Sequence, residues 1–400
     1  MIINGGTMDI FSKCSEFTEA REVMALGIYP FFRPVDPFHA TTAKFEGKEV
    51  IMIGSNNYLG LTQHPRIIEA AKDALERYGS SCTGSRFLNG TIELHHQLED
   101  HLARFLGKES ALVFSTGFQA NLGVLSALVG RNEFVIGDRE DHASIVDGCR
   151  LSFGKHLKYR HGDMDELETI LKTHFDRPKL VVVDGVFSMG GDLADLPTIV
   201  PLCKRYNARL LVDDAHGIGV MGPRGKGTAE HFDLLDEVDL IVGTFSKSLA
   251  SLGGFVAGDD DIIHYIKHHA RSIIFSASMP PATVASADTA LRILEEEPER
   301  VGRLHEIADK MRSGFRDLGF DTGPSETPII PIKIGLGLIR TFEIWKSLID
   351  AGIFTNPVIP PAVAPGDELL RTSYMATHEE DQLNRVLDVF GMVGKDVGLI

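Results

Sequence analysis

Lys247 lies among hydroxyl side chains in the segment GTFSKSLASLGG, which spans residues 243–254. Thr244 and Ser246 precede it, and the apolar run LIV at 240–242 comes just before them. Because an apolar run followed by a glycine-rich segment is typical of a buried strand that ends in a turn, the lysine is predicted at a strand end. An amine there is suited to covalent catalysis on carbonyl compounds, but the same place also suits an ordinary loop lysine. The other strand ends must decide between these readings.

Polar groups follow several other apolar runs in the same manner. In chain order they lie at residues 115–118 (STGF), 138–144 (DREDHAS), 184–188 (DGVFS), 213–216 (DDAH) and 244–247 (TFSK). Since the carboxyl ends of parallel strands line the ligand crevice of an open sheet, these groups are expected to meet there. A helix that begins at Gly117 would also present free backbone N–H groups, which bind anions.

An amine, a buried carboxylate and donors for a phosphate together match the needs of pyridoxal 5'-phosphate. That cofactor requires a Schiff-base lysine, an acidic partner for its pyridinium nitrogen and a phosphate cradle. Lys247 would supply the lysine, Asp213 the acidic partner, and His142 a ring that stacks on the cofactor. Taken singly, these residues are more simply a loop lysine, a structural ion-pair partner and a core histidine. The combination leaves no role unfilled and predicts the cofactor.

The elements that position these groups follow from apolar runs that alternate with amphipathic stretches from about residue 65 to 270. Helices are predicted at 65–78 and 91–105, and strands at 111–114, 134–136, 180–183, 210–212, 240–242 and 255–257. Most of these strands are continuously apolar, which favours an α/β fold with a mainly parallel sheet and helices on both faces. We expect an N-terminal arm (1–45), a large cofactor-binding domain (46–281) and a smaller α+β C-terminal domain (282–400). The last would contain a long helical stretch over about 282–318 and a closing helix near 379–394.

Composition and charge exclude several function classes. A net charge of −16 disfavours a nucleic-acid partner, whose phosphates are held by clustered lysine and arginine. The cysteines form no CxxC pair and the histidines have no HExxH spacing, so no metal site is predicted. The chain has no signal-peptide pattern and no apolar run of about 20 residues, which predicts a cytoplasmic protein. The GxGxxG motif at 217–222 is followed by PRGKG instead of a helix, so an NAD-dependent oxidoreductase is a less favoured alternative.

Several motifs together resemble those of the α-oxoamine synthase family of fold-type I pyridoxal phosphate enzymes. They are DDAH (213–216), GTFSKS (243–248), DHASI (141–145), SNNYLG (55–60), GSRFLNGT (84–91) and FSMGGD (187–192). The resemblance extends over about residues 20–395. Within the family it is strongest to the bacterial serine palmitoyltransferases, through residues 243–256, 276–281 and 370–378. It implies the fold-type I transferase architecture for this chain.

The family resemblance implies a role for each motif residue. Lys247 would form the Schiff base and move protons at the substrate Cα, with His142, Asp213 and His216 as further catalytic residues. Asp213 would pair with the pyridinium nitrogen, while His216, helped by Ser188, would contact the phenolic oxygen. The residues implied to hold the phosphate are Gly117, Phe118, Thr244 and Ser246, joined by Ser276 and Ala277 from the other subunit of a homodimer. Those implied to bind the amino acid are Asn56, Ser85 and Arg371.

The implied reaction is a decarboxylative Claisen condensation of L-serine with a long-chain acyl-CoA such as palmitoyl-CoA, which yields 3-ketodihydrosphingosine, CoA and CO2. The implied assembly is a homodimer with shared active sites, and the lipid-like acyl chain leaves room for peripheral contact with the inner face of the cell membrane. Some serine palmitoyltransferases carry arginine where this chain has Ile359. Alanine with a pimeloyl thioester and glycine with acetyl-CoA therefore stay open as alternatives. A non-catalytic subunit is disfavoured, because it would have no need of Lys247.

Overall fold

The computed structural model describes residues 9–37 and 39–400, so part of the predicted N-terminal arm lies outside the described residues. Within the described part of the chain the α-helices are α1 (Ser12–Glu16), α2 (Glu19–Ala25), α3 (Pro65–Tyr78), α4 (Glu93–Leu106), α5 (Gly117–Leu128), α6 (Ala143–Leu151), α7 (Met164–Thr173), α8 (Leu196–Arg205), α9 (Thr228–His231), α10 (Asp260–His269), α11 (Arg271–Ile274), α12 (Pro281–Glu296), α13 (Glu299–Leu318), α14 (Leu338–Asp350) and α15 (Glu380–Asp396). The strands in the same residues are β1 (Asp36–Pro37), β2 (Thr42–Phe45), β3 (Lys48–Met52), β4 (Ser110–Phe114), β5 (Phe134–Asp138), β6 (Lys155–Tyr159), β7 (Lys179–Asp184), β8 (Arg209–Asp213), β9 (Leu240–Thr244), β10 (Gly254–Gly258), β11 (Ile329–Lys333), β12 (Ile353–Phe354), β13 (Asn356–Val358) and β14 (Leu369–Ser373). A short 3-10 helix at Leu235–Glu237 lies between α9 and β9.

A seven-stranded sheet, counted over the described residues, forms the centre of the fold in the order β4-β10-β9-β8-β7-β5-β6. Its neighbouring strands run parallel except at β10, which is antiparallel to both β4 and β9. Successive residues of a strand face opposite sides of the sheet. Val181 and Val183 pack in one hydrophobic cluster with α4, α8 and α12, whereas Leu180 and Val182 pack in another with α5, α6 and α10. This confirms the predicted α/β fold with a mainly parallel sheet and helices on both faces.

The hydrophobic pattern locates most central elements, with two differences. Each predicted strand lies inside β4, β5, β7, β8, β9 or β10, and the predicted helix at 65–78 is α3. β6 is outside the predicted set because its sequence KHLKY mixes charged and apolar residues, as suits a strand at the edge of the sheet. The stretch at 282–318 is two helices, α12 and α13. Pro298 disfavours a helical conformation at Glu297, which has a ψ angle of 57° and ends α12.

The C-terminal part of the chain builds a separate antiparallel sheet in the order β11-β14-β13, and helices α13, α14 and α15 pack around its hydrophobic cluster. In a further sheet, β1-β2-β3-β12, strand β3 runs parallel to β12, so that Ile51 pairs with Ile353. Phe45 and Val50 share the same hydrophobic cluster as Trp345 of α14. The domain boundaries at 45 and 281 stay a prediction, but this packing attaches β2 and β3 to the core of the C-terminal part.

Two glycines bring the start of α5 onto the central sheet. A Cβ atom at Gly254, the first residue of β10, would lie 2.5 Å from the Cα of Gly117, the first residue of α5. A Cβ atom at Gly117 would lie 3.0 Å from the side chain of Thr244, the last residue of β9. Because a contact of 2.5 Å is far inside van der Waals distance, position 254 accepts only glycine in this arrangement. The N-terminus of α5 is therefore held directly at the carboxyl end of β9.

We expect Gly254→Ala to destabilise the protein by about 2 kcal/mol, because the added methyl group must push α5 away from the sheet. Gly302→Ala is the matched control, since no atom beyond its chain neighbours and the nearby helix backbone lies within 4 Å of its Cβ position, and alanine favours the helix α13 around it. Urea denaturation followed by circular dichroism measures both variants. An unchanged midpoint for Gly254→Ala would contradict the close approach of α5.

Candidate active site

A cavity of about 260 Å³ opens at the carboxyl ends of the central strands. Asp184 is the last residue of β7, Asp213 of β8 and Thr244 of β9, so neighbouring parallel strands deliver polar side chains to one place. The predicted site residues in its lining are Gly117, Phe118, His142, Ser188, Asp213, His216, Thr244, Ser246 and Lys247. Segments far apart in the sequence thus form a single lining.

Five other predicted site residues are not among the lining residues of this cavity, and each makes contacts of its own. Asn56 and Arg371 are joined by a hydrogen bond of 3.0 Å from Nη1 to Oδ1. The Ser276 hydroxyl accepts a hydrogen bond of 3.2 Å from a side chain of α5, and the Ala277 carbonyl accepts one of 2.5 Å from the residue after β4. Ser85 forms an isolated β-bridge with Ala277, and its buried hydroxyl finds no hydrogen-bond partner among the described residues. Their roles in phosphate and substrate binding stay predictions.

The first turn of α5 and the end of β9 form a cradle for an anion. Thr116, the N-cap of α5, accepts a hydrogen bond of 3.1 Å from the Gln119 N–H, and the first backbone N–H groups of the helix have no intrahelical acceptor. The hydroxyl of Thr244 lies 2.9 Å from that of Ser246 on the side formed by β9. Because Gly117 has no side chain, an anion can approach these N–H groups closely. The donors and the helix dipole fit a phosphate group.

Burial shifts the amine of Lys247 toward its neutral form. Burial lowers the pKa of Lys247 to about 8, against the opposing charges of Asp213 and Asp184 and with the help of Arg371. Burial also raises the pKa of Asp184 well above its ordinary value, and the charge of Asp213 raises it further. Burial, followed by the charges of Lys247 and Arg371, holds the pKa of His216 well below its ordinary value. An appreciable fraction of the lysine is therefore a free amine near neutral pH, as a nucleophile or base must be.

Asp213 is a buried carboxylate with one hydrogen bond on each oxygen. Oδ2 accepts from the side-chain amide of Asn121 at 2.5 Å, and Oδ1 accepts from the backbone N–H of Ala215 at 3.0 Å. Each oxygen keeps a further lone pair, and a buried negative charge requires a positively charged partner. The protonated ring nitrogen of a pyridine compound fits this position.

A chain of hydrogen bonds links β14 to the cavity through Tyr58. Arg371 of β14 donates from Nε to the Ser188 carbonyl at 2.6 Å and from Nη2 to the Tyr58 hydroxyl at 3.2 Å. The Tyr58 hydroxyl lies 2.8 Å from Nδ1 of His216. Since the guanidinium donates to this hydroxyl, the hydroxyl can donate its own hydrogen to the neutral imidazole. Tyr58 is not among the predicted site residues, although the SNNYLG motif at 55–60 contains it.

A positively charged histidine, His161, holds the turn that contains Ser188 in place by hydrogen bonds. His161 lies between two carboxylates, with Nδ1 3.1 Å from Asp138 and Nε2 2.9 Å from Asp192. The hydrogen bond to Asp138, followed by the one to Asp192, raises the pKa of His161 to about 10, so the ring is positively charged at neutral pH. The ring also packs edge-on against Phe187, with 4.5 Å between the centroids. These contacts hold the turn at the end of β5. They also fix the position of the Ser188 carbonyl, which accepts the hydrogen bond from Arg371 of β14.

Other sequence features mark no site in the described residues. The GxGxxG motif at 217–222 lies in turns, and the next helix begins only at Thr228, so its last glycine opens no helix. No group of three or more His, Cys, Asp or Glu side chains in the described ranges could hold a metal ion. No helix in the same ranges has the length and apolar character that crossing a membrane requires.

We expect the rate at which the cofactor-free protein captures pyridoxal phosphate to rise with pH and to level off above about 8, because only the neutral amine of Lys247 attacks the aldehyde. Stopped-flow measurement of the visible absorbance that accompanies capture gives this rate. Lys247→Ala should show no such absorbance, whereas Lys204→Ala, at an exposed lysine, should behave as the unaltered protein. A rate that keeps rising to the ordinary lysine pKa of about 10.4 would contradict the lowered value.

Comparison with known proteins agrees with this geometry. The model of the family described as aminotransferase class I and II matches residues 48–390. A serine palmitoyltransferase of Bacteroides ovatus is 52% identical over 94% of this chain and 95% of its own length, and an 8-amino-7-oxononanoate synthase of Geobacter sulfurreducens is 42% identical over 96% and 98%. The solved serine palmitoyltransferase of Sphingomonas wittichii has a TM-score of 0.94 and 36% identity, over 98% of this chain and 100% of that chain. A solved SPT with a PLP internal aldimine has the same TM-score of 0.94 at 38% identity and with the same coverage. The chain therefore belongs to the α-oxoamine synthase family of fold-type I pyridoxal phosphate enzymes.

Proposed function

We propose that the chain is a serine C-palmitoyltransferase, an acyltransferase that depends on pyridoxal phosphate. It condenses L-serine with a long-chain acyl-CoA, palmitoyl-CoA, and releases CoA and CO2. The product, 3-ketodihydrosphingosine, is the first intermediate of sphingolipid synthesis. The observation that carries the proposal is the joint placement of Lys247, Asp213 and the Arg371 guanidinium at one site. Identities of 52% and 48% to serine palmitoyltransferases favour serine as the amino acid.

The residues of the cavity fit pyridoxal phosphate group by group. The cradle of α5 and β9 would hold the phosphate, Asp213 the ring nitrogen and Lys247 the carbonyl carbon. His142 lines the same cavity and is the predicted stacking partner of the ring. When bound, the cofactor supplies an electron sink that stabilises negative charge at the substrate Cα.

Lys247 is the group that moves the substrate proton. With a pKa of about 8, its amine can take the Cα proton from the amino acid and return a proton after CO2 has left. The pKa of His216 is held far lower, so this ring stays neutral and is suited to a hydrogen bond rather than to charge compensation.

Arg371 is preorganised for the carboxylate of the amino acid. Its guanidinium is held from three sides, by the Ser188 carbonyl, the Asn56 amide oxygen and the Tyr58 hydroxyl. A guanidinium has five N–H groups, so these bonds leave donors for a carboxylate. Because the side chain is already ordered, little conformational entropy is lost when the substrate binds.

We further propose a homodimer in which a second copy completes each active site. Apolar side chains are exposed on segments that border the cavity: Phe118 is 41% exposed, Leu252 51% and Phe275 72%. Such groups are typical of protein interfaces. Ser276 and Ala277 follow Phe275 directly, and this contact would bring them to the phosphate of the other copy.

A cytoplasmic location with peripheral contact at the inner face of the membrane belongs to the same proposal. Its support is the chemistry of the acyl donor, because a long acyl chain partitions into lipid.

The runner-up function is the condensation of alanine with a pimeloyl thioester, which the 42% identity to an 8-amino-7-oxononanoate synthase supports. Glycine with acetyl-CoA is the remaining alternative within the family.

A product assay tests the proposal. The purified protein, loaded with pyridoxal phosphate, is incubated with serine, alanine or glycine and with palmitoyl-CoA, pimeloyl-CoA or acetyl-CoA, and the products are identified by mass spectrometry. We expect serine with palmitoyl-CoA to give the fastest turnover, and Lys247→Ala to give none. Faster turnover with alanine and pimeloyl-CoA would replace the proposed substrates but keep the family. No turnover with any pair would refute the proposed activity.

We expect Arg371→Lys to raise the KM for serine by about thirtyfold, because a lysine cannot reproduce the paired N–H donors toward a carboxylate. The KM for palmitoyl-CoA should change by less than about threefold, since the acyl donor makes no use of this guanidinium. Arg312→Lys is the matched control, because Arg312 is also largely buried and bonds a backbone carbonyl, but lies on α13. Steady-state kinetics with each substrate varied separately measures both constants. Equal increases for both substrates would mean that the carboxylate is held elsewhere.

A further inference from the structure

Asn121 is a buried residue of α5 that lines the cavity and is not among the predicted site residues. It lies one helical turn after Gly117, on the face of α5 that carries the phosphate cradle. Its amide nitrogen donates to Oδ2 of Asp213 at 2.5 Å and to the hydroxyl of Ser144 at 2.9 Å. A carboxylate only accepts hydrogen bonds, so the nitrogen must be the end of the amide that faces it. One amide group therefore holds Asp213 and Ser144 at the same time.

These contacts decide how the Ser144 hydroxyl is oriented. Its oxygen accepts from Asn121, so its own hydrogen is available for Nδ1 of His142, which lies 2.8 Å away. The backbone N–H of Ser144 also donates to this nitrogen, at 3.3 Å, because His142 is the N-cap of α6. A backbone N–H can only donate, so Nδ1 is an acceptor. The single hydrogen of a neutral ring must then be on Nε2.

We propose that Asn121 and Ser144 are positioning residues, which form a relay from Asp213 to His142 and lock His142 as the neutral tautomer with its hydrogen on Nε2. The inference rests on the proposed function, in which Asp213 and His142 contact the same cofactor. The hydrogen-bond geometry supports this proposal, and the burial of His142 favours the same neutral ring. Burial lowers the pKa of His142 against the opposing charge of Asp213 and with the help of Lys247.

Because of the relay, the Nε2–H of His142 is a hydrogen-bond donor with a fixed place in the cavity that this ring lines. A neutral ring with the hydrogen on Nε2 can lie flat against a cofactor and donate to the carboxylate of the amino acid. The other tautomer would present a lone pair there and repel that carboxylate. Because the same amide also fixes Asp213, the partner of the ring nitrogen and the stacking residue keep one relative position. The backbone N–H of His142 adds to this order by donating to Asp184 at 2.8 Å.

The test is the protonation state of the His142 ring, read by NMR in the full chain with 15N-labelled histidine and assigned through His142→Gln. In the unaltered protein we expect a bare Nδ1 and a protonated Nε2 at neutral pH. In Asn121→Ala the Ser144 hydroxyl is free to turn and accept a hydrogen from Nδ1, so the pKa of His142 should rise. In Ser144→Ala the rise should be smaller, because no acceptor replaces the lost donor.

Turnover is the second readout. We expect Asn121→Ala to lower kcat/KM for serine by about tenfold, the effect of losing one hydrogen bond that orders the site. Asn57→Ala is the matched control, because Asn57 is also a buried asparagine, but its side chain bonds Thr62 and the Leu61 N–H within its own turn. This control should leave the His142 titration unchanged.

A hydrogen on Nδ1 in the unaltered protein, or an unchanged pKa of His142 in Asn121→Ala, would overturn the relay. The tautomer measurement needs only the unaltered protein, so it decides the matter where a variant does not fold. If the unaltered protein makes 3-ketodihydrosphingosine, such a result removes the relay and keeps the proposed function. If the expected tautomer and the rise of the His142 pKa in Asn121→Ala both occur in a protein that makes no product, the proposed function fails and the relay stands.

Discussion

The amine of Lys247 and the carboxylates of Asp213 and Asp184 line one cavity at the carboxyl ends of adjacent parallel strands. Each charge alone would be unfavourable there, and the lysine attracts both carboxylates, whereas the charge of Asp213 raises the pKa of Asp184, its paired neighbour at the ends of β8 and β7. Burial brings the pKa of the Lys247 amine down to about 8, and the charges of Asp213 and Asp184 oppose part of that shift. The sheet order, the turns after each strand and the helix that begins at Gly117 are all arranged around this cluster.

The site is completed by parts of the chain that lie far outside the central sheet. Arg371 belongs to the C-terminal sheet, yet its guanidinium contacts the loop after β7 through Ser188 and the N-terminal loop through Tyr58. Tyr58 carries the connection on to His216 beside the end of β8. A substrate carboxylate bound to this arginine would therefore be placed relative to the cofactor by protein hydrogen bonds, rather than by the flexibility of a long side chain.

The sequence predicts the central strands and their polar ends because fully buried strands are continuously apolar and functional groups follow them directly. The antiparallel direction of β10 could not be predicted, since an apolar run carries no sign of its orientation in a sheet. Tyr58 and Asn121 were equally inaccessible from the sequence, because a buried polar residue gains its role from partners that only the tertiary structure reveals. The pairing of β3 with β12 rests on two residues of β12 and on contacts distant in sequence, and no local pattern indicates it.

The pairing of Ile51 with Ile353 joins strands about 300 residues apart, which has a consequence for how the protein forms during synthesis. At roughly 5–20 residues per second, the ribosome needs about 15–60 s to deliver the partner of an already finished N-terminal hairpin. During that interval Phe45 and Val50 have no Trp345 to pack against, although the central sheet can assemble as soon as β10 has emerged. Until α14 and β12 leave the exit tunnel, the β3 edge of this hairpin has no neighbouring strand and the apolar side chains of Phe45 and Val50 stay without these partners on the nascent chain.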